Sequence, residues 1–192
     1  WYFSDEDSLS AAVFYKDMDK PIERVVQAAS GTAGNSRTFD NADSAELYGI
    51  EIEGKKAFQI GDDYSRSFFV AVNASLIESE VERPGEERRK LQGQPDYTFN
   101  LVLGYDDLAR GHQLTMLLNQ NGESIKDVGI LGNADVIEES RLDLNLVYRY
   151  DLSESFTLRA KLNNLLNDDV AFTQAGDTFL GYKRGVEFQL GV

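Results

Sequence analysis

The sequence predicts an all-β fold, an antiparallel up-and-down β-barrel that crosses a membrane. Three observations predict it. Apolar residues recur at every second position almost throughout, the period of a strand with one greasy face. Connections alternate between short turns and long polar stretches, the wiring of a meander whose two ends differ. Several alternating segments reach about ten residues; at ~3.3 Å rise and ~45° tilt these cover ~23 Å, close to the ~25 Å apolar band of an outer-membrane barrel.

Taken in order, the strands follow from parity. Leu9, Ala11, Val13 and Tyr15 share one face, and Tyr48, Ile50 and Ile52 share another, with Glu51 and Glu53 opposite. That segment breaks at Gly54 and Lys56 and recovers at Phe58 and Ile60, a pattern a β-bulge at glycine would produce. Next come Phe68, Val70, Val72, Ala74 and Leu76; then Phe99, Leu101, Leu103 and Tyr105; then Leu114, Met116 and Leu118. The last three rows are Leu142, Leu144, Leu146, Tyr148 and Tyr150; Phe156, Leu158, Ala160 and Leu162; and Val186, Phe188, Leu190 and Val192. No stretch has helical periodicity, "AFTQAGDTF" included. Short turns fall at residues 4–8, 61–66, 106–111 and 151–155, each rich in Asp, Ser or Gly. The stretches 18–43, 79–96, 121–139 and 167–183 are expected to be long loops.

Aromatic residues gather beside the short turns: Trp1, Phe3, Phe58, Phe68, Tyr105, Tyr150 and Phe156. Rings there describe an interfacial girdle at the periplasmic end. Opposite the greasy row, Arg141, Asp143, Asn145, Arg149, Thr157, Arg159, Lys161 and Asn163 share the other face. A charge on the lipid face near the midplane costs about 2–4 kcal/mol, so a one-residue slip that turned Arg159 and Lys161 outward is forbidden and the register is well specified. Lys56, which breaks parity, lies near the girdle, where a lysine snorkels to the interface. The alternative is a soluble all-β ligand-binding module, a lipocalin-like barrel or sandwich whose greasy face packs inward on a dry core.

Composition narrows the function. The 192 residues carry a formal net charge of -14, which repels phosphate backbones, so no nucleic-acid partner is expected. There is no cysteine, hence no disulfide framework or thiolate metal site. No apolar run is long enough for a membrane-spanning helix, which says nothing against strands. The lone His112 reads as a solvated turn residue. The paired carboxylates Asp62/Asp63, Asp106/Asp107, Asp168/Asp169 and Glu86/Glu87 read as turn residues rather than a glycosidase pair, and "ESEVERPGEERRKLQGQP" as a solvated loop. No nucleophile elbow, phosphate loop, zinc helix or dinucleotide fingerprint is present. No catalytic residue, metal or cofactor is expected.

Four patches then resemble one family. "AAVFYKDMDKPI", "ELYGIEIEGKKAF", "LQGQPDYTFNLVLGYD" and "LRAKLNNLLND" are similar, in the same order, to barrel strands of TonB-dependent outer-membrane receptors. The resemblance implies a barrel of about 22 strands around an N-terminal plug, of which residues 1–192 supply a C-terminal part of about eight or nine strands. The plug and TonB box are expected to lie outside this chain, and the fragment to have two unpaired edges. The implied function is import of a scarce nutrient (siderophore, cobalamin, haem or glycan) by TonB-coupled active transport. The implied place is the outer membrane of a Gram-negative bacterium, and the implied partners are its lipid and lipopolysaccharide, the TonB complex acting through the plug, and the cargo. The resemblance places cargo contacts in extracellular loops and at inward rim positions: Arg37, Phe39, Glu78, Tyr97, Asn119, Asn121, Phe172, Gln174, Phe179 and Tyr182.

Overall fold

The computed structural model describes residues 1–28, 35–61 and 64–192, so the Asp62/Asp63 pair lies outside the described residues. These residues form two sheets and no helix. The larger sheet has eight strands, β1 (Ser8–Asp19), β4 (Ser44–Ile60), β5 (Arg66–Glu82), β6 (Tyr97–Asp107), β7 (His112–Asn121), β10 (Arg141–Ser153), β11 (Phe156–Asn163) and β14 (Glu187–Gly191), in that spatial order. Every neighbouring pair is antiparallel. The sheet does not close: β1 and β14 are its edges, as expected of a barrel fragment.

Register carries each greasy row into the next. Ile52 opposes Ala74, Ala74 opposes Phe99, Leu101 opposes Leu118, Leu118 opposes Leu144 and Leu162 opposes Phe188. No apolar residue of this row is buried; Val13 is 82% exposed and Phe188 61%. Among the described residues no layer covers it, whereas the soluble alternative requires that greasy face to be a dry core. The other face is mostly polar, with Phe14, Phe69, Val102, Leu117 and Val147 set among its polar residues. Asn119 donates to Asn100 (2.6 Å), Asn100 to Asn73 (3.2 Å) and Asn73 to Glu51 (2.7 Å), a ladder across four strands. A wall apolar on one face and wet on the other is what lipid outside and a lumen inside require.

Two details of the wall correct the sequence reading. No bulge sits at Gly54: β4 keeps unbroken register with β1 and β5. Parity fails at Lys56 because its ammonium pairs with Asp7, whose other oxygen accepts from Ala57 N at 2.9 Å just where β1 stops covering the β4 edge. His112 is not a solvated turn residue. It opens β7 on the outward row, half-buried, stacked on Tyr150 at 4.3 Å and bonded through Nδ1 to the Tyr148 hydroxyl at 2.8 Å. It belongs to the aromatic band with Phe58 and Phe68, whose rings are 6.3 Å apart.

The larger correction concerns the long stretches. Three of the four contain strands, and these form a second sheet: β13 (Asp177–Lys183), β12 (Asp169–Gln174), β9 (Val136–Glu138), β8 (Ser124–Gly129), β2 (Ile22–Ala28) and β3 (Asn35–Asn41), in that order. It lies at the end opposite the short turns and holds most of the buried apolar residues. Val26, Val136, Val170 and Phe172 cluster together, and Val25, Ile125 and Val128 form another group. β2 and β8 pair in parallel, Val25 with Val128 and Val26 with Gly129. The fourth stretch is no free loop either. Between β5 and β6, Arg89 grips Glu23, which is 1% exposed, with one contact at 2.8 Å. Leu91 packs on the Ala42, Ala45 and Val81 cluster.

The Asn-Leu-Leu-Asn motif ends β11 as a staple. Asn164 and Asn167 adopt left-handed φ values of 55° and 48°, which asparagine tolerates. Asn164 N donates to Asn145 Oδ1 (3.0 Å) and its Nδ2 to Gly185 O (2.7 Å), while Gly185 N donates to Asn167 Oδ1 (3.0 Å). Asp168 then caps Leu142 N at 3.0 Å. The motif pins β10, β11 and the approach to β14 together.

Candidate functional site

Three adjoining clefts run from the second sheet to the lumen rim. The first, ≈ 250 Å³, is set among Arg24, Arg37, Lys126, Phe172, Phe179 and Leu180. Its charged centre is Asp127, 2% exposed on β8, which holds Arg24 Nε and takes Arg37 Nε at 2.8 Å. A buried carboxylate between two guanidiniums carries no uncompensated charge, and Arg24 also donates from Nη2 to Lys126 O at 3.1 Å. Lys126 lies 5.5 Å from the Phe172 ring centre, and Phe179 lies 6.5 Å from it, tilted. Cations beside an aromatic wall suit a ligand with a flat ring and an anionic group.

The second cleft, ≈ 490 Å³, shares Arg24 and Lys126 with the first and adds Phe39, Gln92 and Glu138. Gln92 builds its wall. Its Oε1 accepts from Arg24 N at 2.7 Å, and its Nε2 donates to Arg24 O (2.8 Å) and Lys126 O (2.7 Å). One side chain thus continues the short parallel pairing of β2 and β8. The third cleft, ≈ 220 Å³, shares Gly93, Ser124 and Glu138 with the second and ends on Asn119, Asn121, Arg141 and Asp143 of the lumen face.

Register places the expected contact residues. Arg37, Phe39, Phe172, Gln174 and Tyr182 fall on one face of the second sheet, joined to Arg24 and Asp127 through the pairs Arg24–Phe39, Phe172–Glu138, Gln174–Val136 and Val170–Tyr182. Gln174 donates to Ala134 O at 2.9 Å. Asn119 and Asn121 lie on the lumen face. Glu78 and Tyr97 stand on the outward row, away from these clefts: Glu78 accepts from the Tyr48 hydroxyl at 2.8 Å, and the Tyr97 hydroxyl accepts from Gln120 at 3.2 Å. Sequence reasoning missed Arg24, Gln92, Lys126 and Asp127. Nothing local singles them out; strand pairing across a hundred residues assembles them.

In each acidic pair among the described residues, at least one member has a structural partner. Asp107 holds Arg110 through an ion pair at 3.0 Å and caps its amide at 3.1 Å. Glu86 faces Arg83 at 3.4 Å. The two Asp168 oxygens accept from Leu142 N and Asp169 N, each at 3.0 Å, and these bonds, the Leu142 amide foremost, hold its pKa below the ordinary carboxylate value. Asp7 is likewise lowered, by Lys56 first and the Ala57 amide second.

A two-faced antiparallel wall, aromatic beside its short turns and crowned by an interlaced sheet, defines a transmembrane β-barrel of the outer-membrane class. The family model described as TonB dependent receptor-like, beta-barrel matches residues 1–165, and the chain belongs to that family of outer-membrane receptors and transporters, which is not a family of enzymes. No curated protein and no solved structure matches it.

Proposed function

We propose that this chain is a partial barrel, spanning residues 1–192, of a receptor that imports a scarce nutrient across the outer membrane of a Gram-negative bacterium by TonB-coupled active transport. The plug and the TonB-contacting segment belong to the rest of the protein. One observation carries the reading: three clefts that share lining residues lead from the second sheet to the lumen rim of a membrane wall. Cargo of the siderophore, cobalamin, haem or glycan kind docks first against Arg24, Arg37, Phe172 and Phe179, with Phe39 beside them. It then passes to Asn119 and Asn121. No bond in the cargo is broken, so the cleft needs donors, cations and ring faces rather than an acid–base pair. Lipopolysaccharide and phospholipid contact the outward row and its girdle.

The test uses the full-length protein. Membrane fractionation is expected to place it with outer-membrane porins, and recovery from the aqueous fraction without detergent defeats the reading. Deletion of the gene is expected to abolish growth on one nutrient of a panel of ferric siderophores, haem, cobalamin and oligosaccharides. The variant Arg37→Gln, which leaves Asp127 paired with Arg24, is expected to slow uptake of that nutrient at least tenfold while the protein stays in the membrane.

A further inference from the structure

The end of the lumen face beside the short turns gathers cations. Arg149 of β10 stands directly opposite Arg159 of β11, and Lys161 follows two residues on, opposite Val147. All three lie on the lumen face. Arg159 and Lys161 are exposed there, and the Arg149 side chain is 41% exposed. One carboxylate serves them. Asp151 Oδ1 accepts from Arg149 Nε at 3.0 Å, pairs with its Nη2 at 2.9 Å and accepts from the Thr157 hydroxyl at 2.7 Å. Arg159 and Lys161 have no ion pair and no side-chain hydrogen bond among the described residues.

Elsewhere on this face the signs alternate: Glu53 stands two residues from Lys55, and Arg141 two from Asp143. The chain carries 19 Lys and Arg against 33 Asp and Glu, so three adjoining cations that share one acid do not follow from composition. Like charges set directly opposite on neighbouring strands destabilise a sheet. Opposite side chains start about 4.5–5.5 Å apart and diagonal ones about 7–8 Å, within reach of long side chains, so the three heads can converge on one point of the lumen. Gln113 lies beside Arg149 and Gln189 beside Lys161, and a Cβ at Gly191, beside Arg159, would meet no atom within 4 Å. The site is therefore open, with amide donors at its flanks. Arg149 falls between Tyr148 and Tyr150 of the aromatic band, at the end of the lumen opposite the three clefts.

We propose that Arg149, Arg159 and Lys161 form a second ligand station, an oxyanion site at the exit end of the lumen that holds a carboxylate or phosphate group. An oxyanion there accepts charge-assisted bonds from two guanidinium forks and an ammonium, and it relieves the repulsion between the opposed arginines. This deepens the import reading and rests on it. Cargo that meets Arg24, Arg37 and Lys126 at the outer clefts carries an anionic group, and that group meets cations again below. An uncharged glycan does not qualify.

The experiment labels lysines of the detergent-solubilised full-length receptor with acetic anhydride and reads each site by peptide mass, at an ionic strength held constant with potassium chloride. Pyrophosphate and tricarballylate are the probes, and maltose is the uncharged control. Lys55, on the same face over the Phe69 ring, is the internal reference. At least one oxyanion is expected to slow Lys161 labelling at least fivefold and saturably, while Lys55 keeps its rate and maltose does nothing. The probe that acts at the lower concentration names the group, pyrophosphate a phosphate and tricarballylate a carboxylate. Arg159→Gln, which breaks no hydrogen bond, is expected to abolish the protection. Equal slowing of Lys161 and Lys55, no slowing by either oxyanion, or protection that survives Arg159→Gln overturns the proposal. So does a Lys161 that labels far more slowly than Lys55 before any probe is added, because a carboxylate from elsewhere in the protein then fills the place. The comparison of Lys161 with Lys55 needs no variant, so a variant that fails to fold does not rescue the idea. A receptor that sits in the outer membrane and takes up its nutrient, yet whose Lys161 ignores both oxyanions, loses this inference alone.

Discussion

At Gly104 the missing side chain is what the fold uses. The Phe69 ring of the neighbouring strand lies over it on the lumen face, in direct register, so a Cβ there would collide with the ring. Gly49 repeats the arrangement under Phe14, and the Leu76 carbonyl also blocks the space. Gly49→Ala and Gly104→Ala are each expected to destabilise the wall by about 1–3 kcal/mol through overpacking. The check is the urea midpoint at which the full-length barrel loses its heat-modifiable gel shift. Single carboxylates set the acid limit. Asp7 and Asp168 have pKa values lowered in the fold, so their contribution is fully present above the ordinary value of about 3.9 and is lost as pH falls through the lower folded value. Stability is expected to be flat from neutrality to about pH 5 and to drop below about pH 4. Asp168→Asn should reduce that acid drop, measured by urea midpoints across the same range.

At the scale of elements, the 83–96 connection is a strut rather than a tether. Gln92 supplies three hydrogen bonds to β2 and β8, and Gly93 N donates to Ile125 O at 2.8 Å. Gln92→Ala leaves backbone groups of Arg24 and Lys126 unpaired, a local cost of about 1–3 kcal/mol. Limited proteolysis is expected to cut within 83–96 several-fold faster in the variant, with the wall strands still protected. The same strut shows why the sequence was legible in one sheet and opaque in the other. Wall strands announce themselves because one face meets lipid and the next residue does not, so Leu142, Leu144 and Leu146 count out the period unaided. In the second sheet Val25 and Val26 are adjacent and both wholly buried, because both faces of β2 are covered, and alternation vanishes. Its strands are three to seven residues long, and the pairings that join its hairpins reach far along the chain, as from Val25 to Val128. Asn119 and Asn121 could be placed at the rim by parity alone. Asp127 and its two arginines could not, since their meeting depends on that distant pairing.

The whole molecule is organised by solvent on either side of one sheet. Met116 and Thr115 are neighbours on β7, the first on the outward row and the second on the lumen face. Met116→Arg sets a cation in hydrocarbon near midspan, at about 2–4 kcal/mol, whereas Thr115→Arg meets water. The first is expected to lower the amount of folded receptor in outer-membrane fractions severalfold and the second to leave it unchanged, read as the heat-modifiable band on gels.

The interlaced strands far from the short turns carry one more implication. Since β2 is hydrogen-bonded to both β3 and β8, and β9 to both β8 and β12, segments from three separate hairpins are knitted edge to edge. Such a weave does not unravel from a single dropped stitch. A force on one hairpin therefore reaches its neighbours as well, and a change at one tip must keep the shared seams intact.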